Sequence, residues 1–215
     1  MYTGPNIVTD GLVLAIDADS ERSYTGSGTS WVDLSGNDNN VTLTNGPVFN
    51  TNGYFEFDGI NDYGYNGSTS LEITNNVTIN AWIRHDGSGD NNGNYMAQSR
   101  NQGYRMRRQG SSFWIYASGN SVTSPTGAIY DNIWYMVTGV FSSAGLRAYI
   151  NSKLVASNTT PYASTVFGDG LYIGAYYTGL EKFGGDISSC KVYDLALTAA
   201  QVAQNFNAQK SRYGL

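Results

Sequence analysis

The sequence is short of the residues on which most protein chemistry depends. It has one cysteine and one histidine in 215 residues. A single cysteine excludes an internal disulfide framework and any cysteine-rich zinc site, and a lone histidine excludes any site that needs two from this chain. Charge is sparse as well: 13% of residues are charged, about half the usual ~25%. The 12 Lys and Arg are outnumbered by 17 Asp and Glu, for a net charge of −5. Non-specific nucleic-acid binding depends on clustered basic residues, so no nucleic-acid partner is expected. No apolar run approaches the roughly 20 residues that span a bilayer, so no membrane insertion is expected.

Glycine, with 26 residues, and tyrosine, with 17, are abundant, and hydrophobic residues at 40% suffice for a core. The length suits one domain, and all-β domains often run to this size. Residues 1–6 lack the basic start and apolar stretch of a signal peptide, so cytoplasmic synthesis without cleavage is expected. The sequons at Asn40, Asn66, Asn76 and Asn158 then read as chance.

Turn signals recur about every ten residues, with short β-branched or aromatic runs between them. Strands are expected at 11–17, 41–43, 54–57, 77–84, 104–108, 112–117, 134–141, 146–150, 153–156, 171–174 and 187–193. Val77, Ile79, Ala81 and Ile83 alternate onto one face. The glycine-rich stretch 86–94 reads as a long hairpin loop. At the C-terminus, Thr198 can cap a helix with Leu197 before it, and Ala199, Val202, Ala203 and Phe206 follow at helical spacing. A helix over about 198–209 closes a single all-β domain spanning 1–215.

Several segments carry a resemblance. They include Gly11-Leu12-Val13-Leu14, Trp31-Val32-Asp33-Leu34-Ser35-Gly36-Asn37 and Phe57-Asp58-Gly59-Ile60-Asn61-Asp62-Tyr63. The strands around Trp82, Trp134 and Leu171 follow, then 185–198. In this order they resemble the laminin-G-like, concanavalin-A-like jelly-roll family. The resemblance implies two antiparallel sheets packed face to face as a sandwich, with a short C-terminal helix. The ending Asn205-Phe206-Asn207-Ala208 with Arg212-Tyr213-Gly214-Leu215 resembles the form of the domain found in phage virion proteins. That resemblance implies a particle setting, with other virion proteins, self-association or a cell-surface glycan as partners.

Catalysis is not expected. Retaining glycosidases place two carboxylates ~5 Å apart, and Glu21, Glu56, Glu72 and Glu181 lie far apart in sequence with no closely spaced pair. His85, at a strand end before a loop, reads as solvated, and Cys190, in mid-strand, as a buried inert thiol. Asp58, Asn61 and Asp62 gather hard oxygen donors in one turn, the type calcium selects. The resemblance adds Asp186 as a fourth ligand. Such residues also satisfy their own backbone in turns, and both readings stand at this point.

Sugar binding rests on aromatic faces, which stack on pyranose rings, and on planar polar groups that bind hydroxyls or acids. Tyr95, Arg105, Arg107, Trp114 and Tyr116 fall in one region, and Tyr176 and Tyr177 follow Gly174. Alternation puts Arg105 and Arg107 on one face of their strand, opposite Tyr104, Met106 and Arg108. Trp82 and Trp134 read as structural. The leading expectation is a non-enzymatic phage virion protein that binds glycans or recognises a host, in a tail fibre, baseplate or capsid appendage. The alternatives are a decoration protein that binds no sugar, and a bacterial surface adhesin or carbohydrate-binding module.

Overall fold

The computed structural model describes residues 6–98, 103–163, 168–177 and 180–215. In chain order the strands are β1 (Leu12–Asp17), β2 (Ser30–Trp31), β3 (Val41–Thr44), β4 (Val48–Asn50), β5 (Tyr54–Asp58), β6 (Tyr63–Asn66), β7 (Val77–Gly89) and β8 (Asn94–Gln98). They continue as β9 (Tyr104–Gln109), β10 (Ser112–Ala117), β11 (Asn120–Thr123), β12 (Trp134–Ser142), β13 (Gly145–Ile150), β14 (Lys153–Ser157), β15 (Leu171–Ile173) and β16 (Phe183–Tyr193). The α-helix, α1, spans Ala199–Gln209, and a 3-10 turn at Lys210–Tyr213 follows it.

The strands form two antiparallel sheets. One runs β14-β13-β12-β7-β16-β5-β4, with β1 also paired to β16; the other runs β11-β10-β9-β8-β15-β6-β3-β2. The expected strands are present. The stretch 86–94 differs from its expectation as a hairpin loop. β7 continues to Gly89 in the first sheet and β8 starts at Asn94 in the second. Residues 90–93 therefore cross between the sheets instead of turning back within one.

Alternation explains the sandwich. Val77, Ile79, Ala81 and Ile83 of β7 join the core between the sheets, where they meet Phe113 and Ile115 of β10 and Leu171 and Ile173 of β15. The other face of β7 carries Thr78, Asn80 and Trp82. Trp82 belongs to a second buried cluster with Met136, Tyr149, Tyr193, Leu197 and Val202, against which Phe206 and Tyr213 pack. The helix and the turn after it thus cover the outer face of the first sheet. The helix starts as its sequence dictates: the Thr198 side chain accepts the Gln201 N–H while the Gln201 side chain accepts the Thr198 N–H, a complete capping box. Trp31 is the inward residue of β2, fully buried and edge-on to Phe55 at 4.8 Å.

Lys191 lies beneath this helix at 3% exposure. Its Nζ donates to Gln209 Oε1 at 2.9 Å, and burial pulls its pKa down to about 8, with Asp17 pulling the other way. Between that value and the ordinary 10.5 the unfolded chain holds a proton that the folded chain has released. Stability therefore rises with pH across this window. Replacing a buried charge with a well-packed apolar chain is often stabilising, and Trp82 Nε1 still donates to Gln209 at 3.1 Å. Lys191→Met is expected to gain about 1–2 kcal/mol at neutral pH and to flatten the rise above pH 8, as read by urea unfolding at several pH values.

Candidate functional site

The outer face of the second sheet is built differently. Tyr104 and Met106 of β9 point into the core, as do Phe113, Ile115 and Ala117 of β10. Alternation therefore turns Arg105, Arg107, Trp114 and Tyr116 outward. Register places Arg107 opposite Trp114 and Arg105 opposite Tyr116. The row continues across the sheet: Arg105 pairs with Ala97 of β8, Ala97 with Tyr172 of β15, Tyr172 with Tyr65 of β6, and Tyr65 with Thr42 of β3. Tyr63, Tyr65, Arg105, Tyr116, Tyr176 and Tyr177 all remain partly exposed.

Arg105 is the hub. Its guanidinium lies 4.8 Å from the Trp114 ring centre, 4.8 Å from that of Tyr116 and 4.6 Å from that of Tyr176. Trp114 and Tyr116 are stacked, their planes 14° apart and their centres separated by 5.3 Å. Arg107 lies over Trp114 at 4.1 Å. On the other side of Arg105, Tyr172 packs against Tyr65 at 4.9 Å, Tyr63 at 5.8 Å and Tyr177 at 6.3 Å. The small side chain of Ala97 separates the two aromatic groups, and at 1% exposure it is covered by them.

The segment after β15 supplies the remaining parts. Gly174 has φ +78°, and a Cβ there would meet the Phe57 ring at 2.5 Å, so the turn requires glycine. Tyr176 and Leu180 then exchange backbone hydrogen bonds, returning the chain so that Glu181 faces the arginines. Glu181 Oε1 accepts from Arg107 Nη1 at 2.9 Å, and Oε2 lies 3.5 Å from Arg105 Nη1. Asn94 Nδ2 donates to Oε2 at 2.8 Å. Burial pulls the Arg105 pKa below its ordinary value, while Glu181 pulls it back up.

Of the residues expected from sequence to bind sugar, Arg105, Arg107, Trp114, Tyr116 and Tyr176 come together, and Tyr177 touches the tyrosine group beside them. Tyr95 is placed elsewhere. The strand bulges between Asn94 and Met96, and the Tyr95 ring turns into the core at 0% exposure, its hydroxyl 3.0 Å from His85 Nε2. This also corrects the expectation for His85, which is 1% exposed and lies edge-on to Phe183. Sequence reasoning missed Tyr63, Tyr65 and Tyr172, although each alternates with inward residues. It assigned Glu181 no role at this site, and no local pattern marks a loop residue whose partner Arg107 lies 74 positions away.

The carboxylates expected to hold calcium are engaged within the protein. Asp58 Oδ1 accepts the N–H groups of Ile60 and Asn61, at 2.7 and 3.1 Å, and that of Asp62 at 3.4 Å. These bonds outweigh burial and hold the Asp58 pKa below its ordinary value. Asp62 Oδ2 accepts the Asp58 N–H at 3.0 Å, and Asp186 is paired with Arg84 at 2.6 Å. The Asn61 carbonyl oxygen accepts from Asn45 Nδ2 at 2.7 Å. Among the described residues no three His, Cys, Asp or Glu side chains gather as a metal site. Asp33 is engaged similarly, by the N–H groups of Ala15, Ser35 and Asn39. Among the described residues no helix is long and apolar enough to cross a membrane.

Solved structures share this architecture at low identity. A Trypanosoma rangeli sialidase matches with a TM-score of 0.71 at 13% identity, over 94% of this chain and 33% of that one. The botulinum neurotoxin serotype D binding domain matches with a TM-score of 0.71 at 16% identity, over 94% of this chain and 53% of that one. The chain thus spans about a third to a half of these proteins, and at such identity the likeness is one of fold. No curated protein matches it in sequence. Residues 57–203 match a family model, Laminin_G_3, described as the Concanavalin A-like lectin/glucanases superfamily. That stretch runs from the end of β5 into α1 and includes every strand of the arginine–aromatic face except the β2–β3 edge, so the chain belongs to the Concanavalin A-like lectin/glucanases superfamily.

Proposed function

We propose that the chain is a non-enzymatic glycan-binding module whose ligand lies on the outer face of the second sheet. One observation carries this reading: Arg105 is held among the rings of Trp114, Tyr116 and Tyr176 on a face that keeps partial exposure, while the helix lies on the other sheet. Rings of this kind stack on the apolar faces of sugars, and a fixed guanidinium donates to hydroxyls or acids. A non-enzymatic role is supported by the surroundings of the reactive groups. His85 is in the core, and burial pushes the Cys190 thiol pKa up. Glu181 faces two arginines, whereas hydrolysis of the usual kind uses two carboxylates. The phage setting, with host recognition as its purpose, rests on the resemblance of the C-terminal tail; the family match and the fold neighbours add nothing specific to a virion.

Tyr116→Ala and Tyr176→Ala are each expected to weaken binding about tenfold, from the ~1.5 kcal/mol of one aromatic contact. Titration of the wild type and both variants against a panel of neutral and acidic glycans tests this. Absence of saturable binding by the folded wild-type domain would favour a packing role without sugar.

A further inference from the structure

Two guanidinium groups at this site face one carboxylate. Arg107 is buried at 8% exposure, and the Nε atoms of Arg105 and Arg107 are both buried without a hydrogen-bond partner. The aromatic rings around them cannot neutralise charge, and among the described residues Glu181 is the acid paired with either arginine. One positive charge is thus left uncompensated in a partly desolvated setting, where a second anion is favoured. Glu181 itself has φ +46°, in the left-handed region that side-chain-bearing residues seldom adopt. Such conformations persist where surrounding contacts over-determine them, and they concentrate at binding sites. Here those contacts are the two arginines and Asn94.

We infer that the site takes an acidic saccharide, a sugar whose ring carries a carboxylate, and that Glu181 is the protein's own carboxylate at the seat this group occupies. The inference rests on the glycan-binding reading above and specifies its ligand class. A sugar carboxylate meets Arg105 and Arg107 while its ring lies against Tyr116 and Tyr176. Glu181 competes for the same donors and so holds affinity down. The uncharged amide of Glu181→Gln can keep an acceptor for Asn94 while giving up the arginines.

The test uses polygalacturonate, alginate and hyaluronan, each beside its carboxyl-reduced form, in which every uronate has become a neutral sugar. The wild-type domain is expected to bind at least one acidic form and to lose that binding at least tenfold on carboxyl reduction. Glu181→Gln is expected to tighten the acidic interaction at least fivefold. A steep loss of wild-type affinity between 50 and 300 mM salt is a second expected result that needs no variant. Equal binding of acidic and reduced forms, or unchanged or weaker acidic binding by folded Glu181→Gln, would overturn the inference and leave the glycan-binding reading standing. Binding of neutral glycans alone has the same meaning. Binding of no glycan of either kind would overturn both.

Discussion

Trp82→Ala is expected to lower the unfolding free energy by roughly 3–5 kcal/mol, the range for deleting a large buried ring, and to release the C-terminal helix. Trp82 is 0% exposed. Its ring stacks on Tyr213 with centres 3.8 Å apart and on Phe206 at 5.8 Å, and its Nε1 donates to Gln209. All three partners lie in the helix or in the turn after it. An isolated helix of this length is marginal in water, so its order depends on this docking. Urea unfolding reports the loss in stability, and far-UV circular dichroism with limited proteolysis after residue 198 reports the helix. A Trp82→Ala protein that unfolds like the wild type, with its tail protected, would show that the ring does not anchor the helix.

Acid is expected to destabilise the domain by roughly 3 kcal/mol between pH 7 and pH 4 through His85 alone, because each tenfold change in proton affinity between the folded and unfolded chain is worth about 1.4 kcal/mol. Burial, reinforced by the positive charge of Arg108, pulls its pKa from 6.5 down to about 3. Between those values the unfolded chain binds a proton that the folded chain refuses. Stability is therefore complete above pH 6.5 and is lost progressively as the pH falls toward 3. The neutral ring is held by its contact with the Tyr95 hydroxyl and by Phe183 at 4.7 Å. Glutamine can hydrogen-bond Tyr95 without titrating, so His85→Gln is expected to flatten the acid limb by about one proton. Parallel acid limbs in the two proteins would remove His85 as the cause.

The sandwich was legible in the sequence because each sheet has to bury one face, and period-two alternation shows which face that is. Val77 to Ile83 and Phe113 to Ala117 display it plainly. The helix was legible from Thr198 and from the helical spacing of Ala199, Val202, Ala203 and Phe206, because capping and amphipathic periodicity are local. The strands left out have weaker patterns: β2 has two residues, and β8 is interrupted by a bulge. That bulge also explains Tyr95, since one extra residue reverses the side to which a side chain points. His85 failed for a related reason: β7 runs past it to Gly89, so the residue taken for a strand end is interior. At the site, the arginines and their aromatic neighbours followed from adjacent strands in register. Glu181 reaches them through a turn whose course depends on tertiary contacts.

Leu12 pairs with Tyr193 and Asp17 with Ser189, which bears on the order in which the chain can fold. A ribosome releases β1 before the other strands of the sandwich, but its partner β16 emerges only after β2 to β15 have been made. Until then the backbone donors and acceptors along one side of β1 have no partner, and β16 is also the strand that joins β7 to β5. Loop closure over so long a separation is slow, and a chain cut short before residue 183 loses the junction of its first sheet together with its last strand. Completion of the first sheet thus waits on β16, and products truncated before it are left with exposed strand edges, the surfaces through which β proteins aggregate.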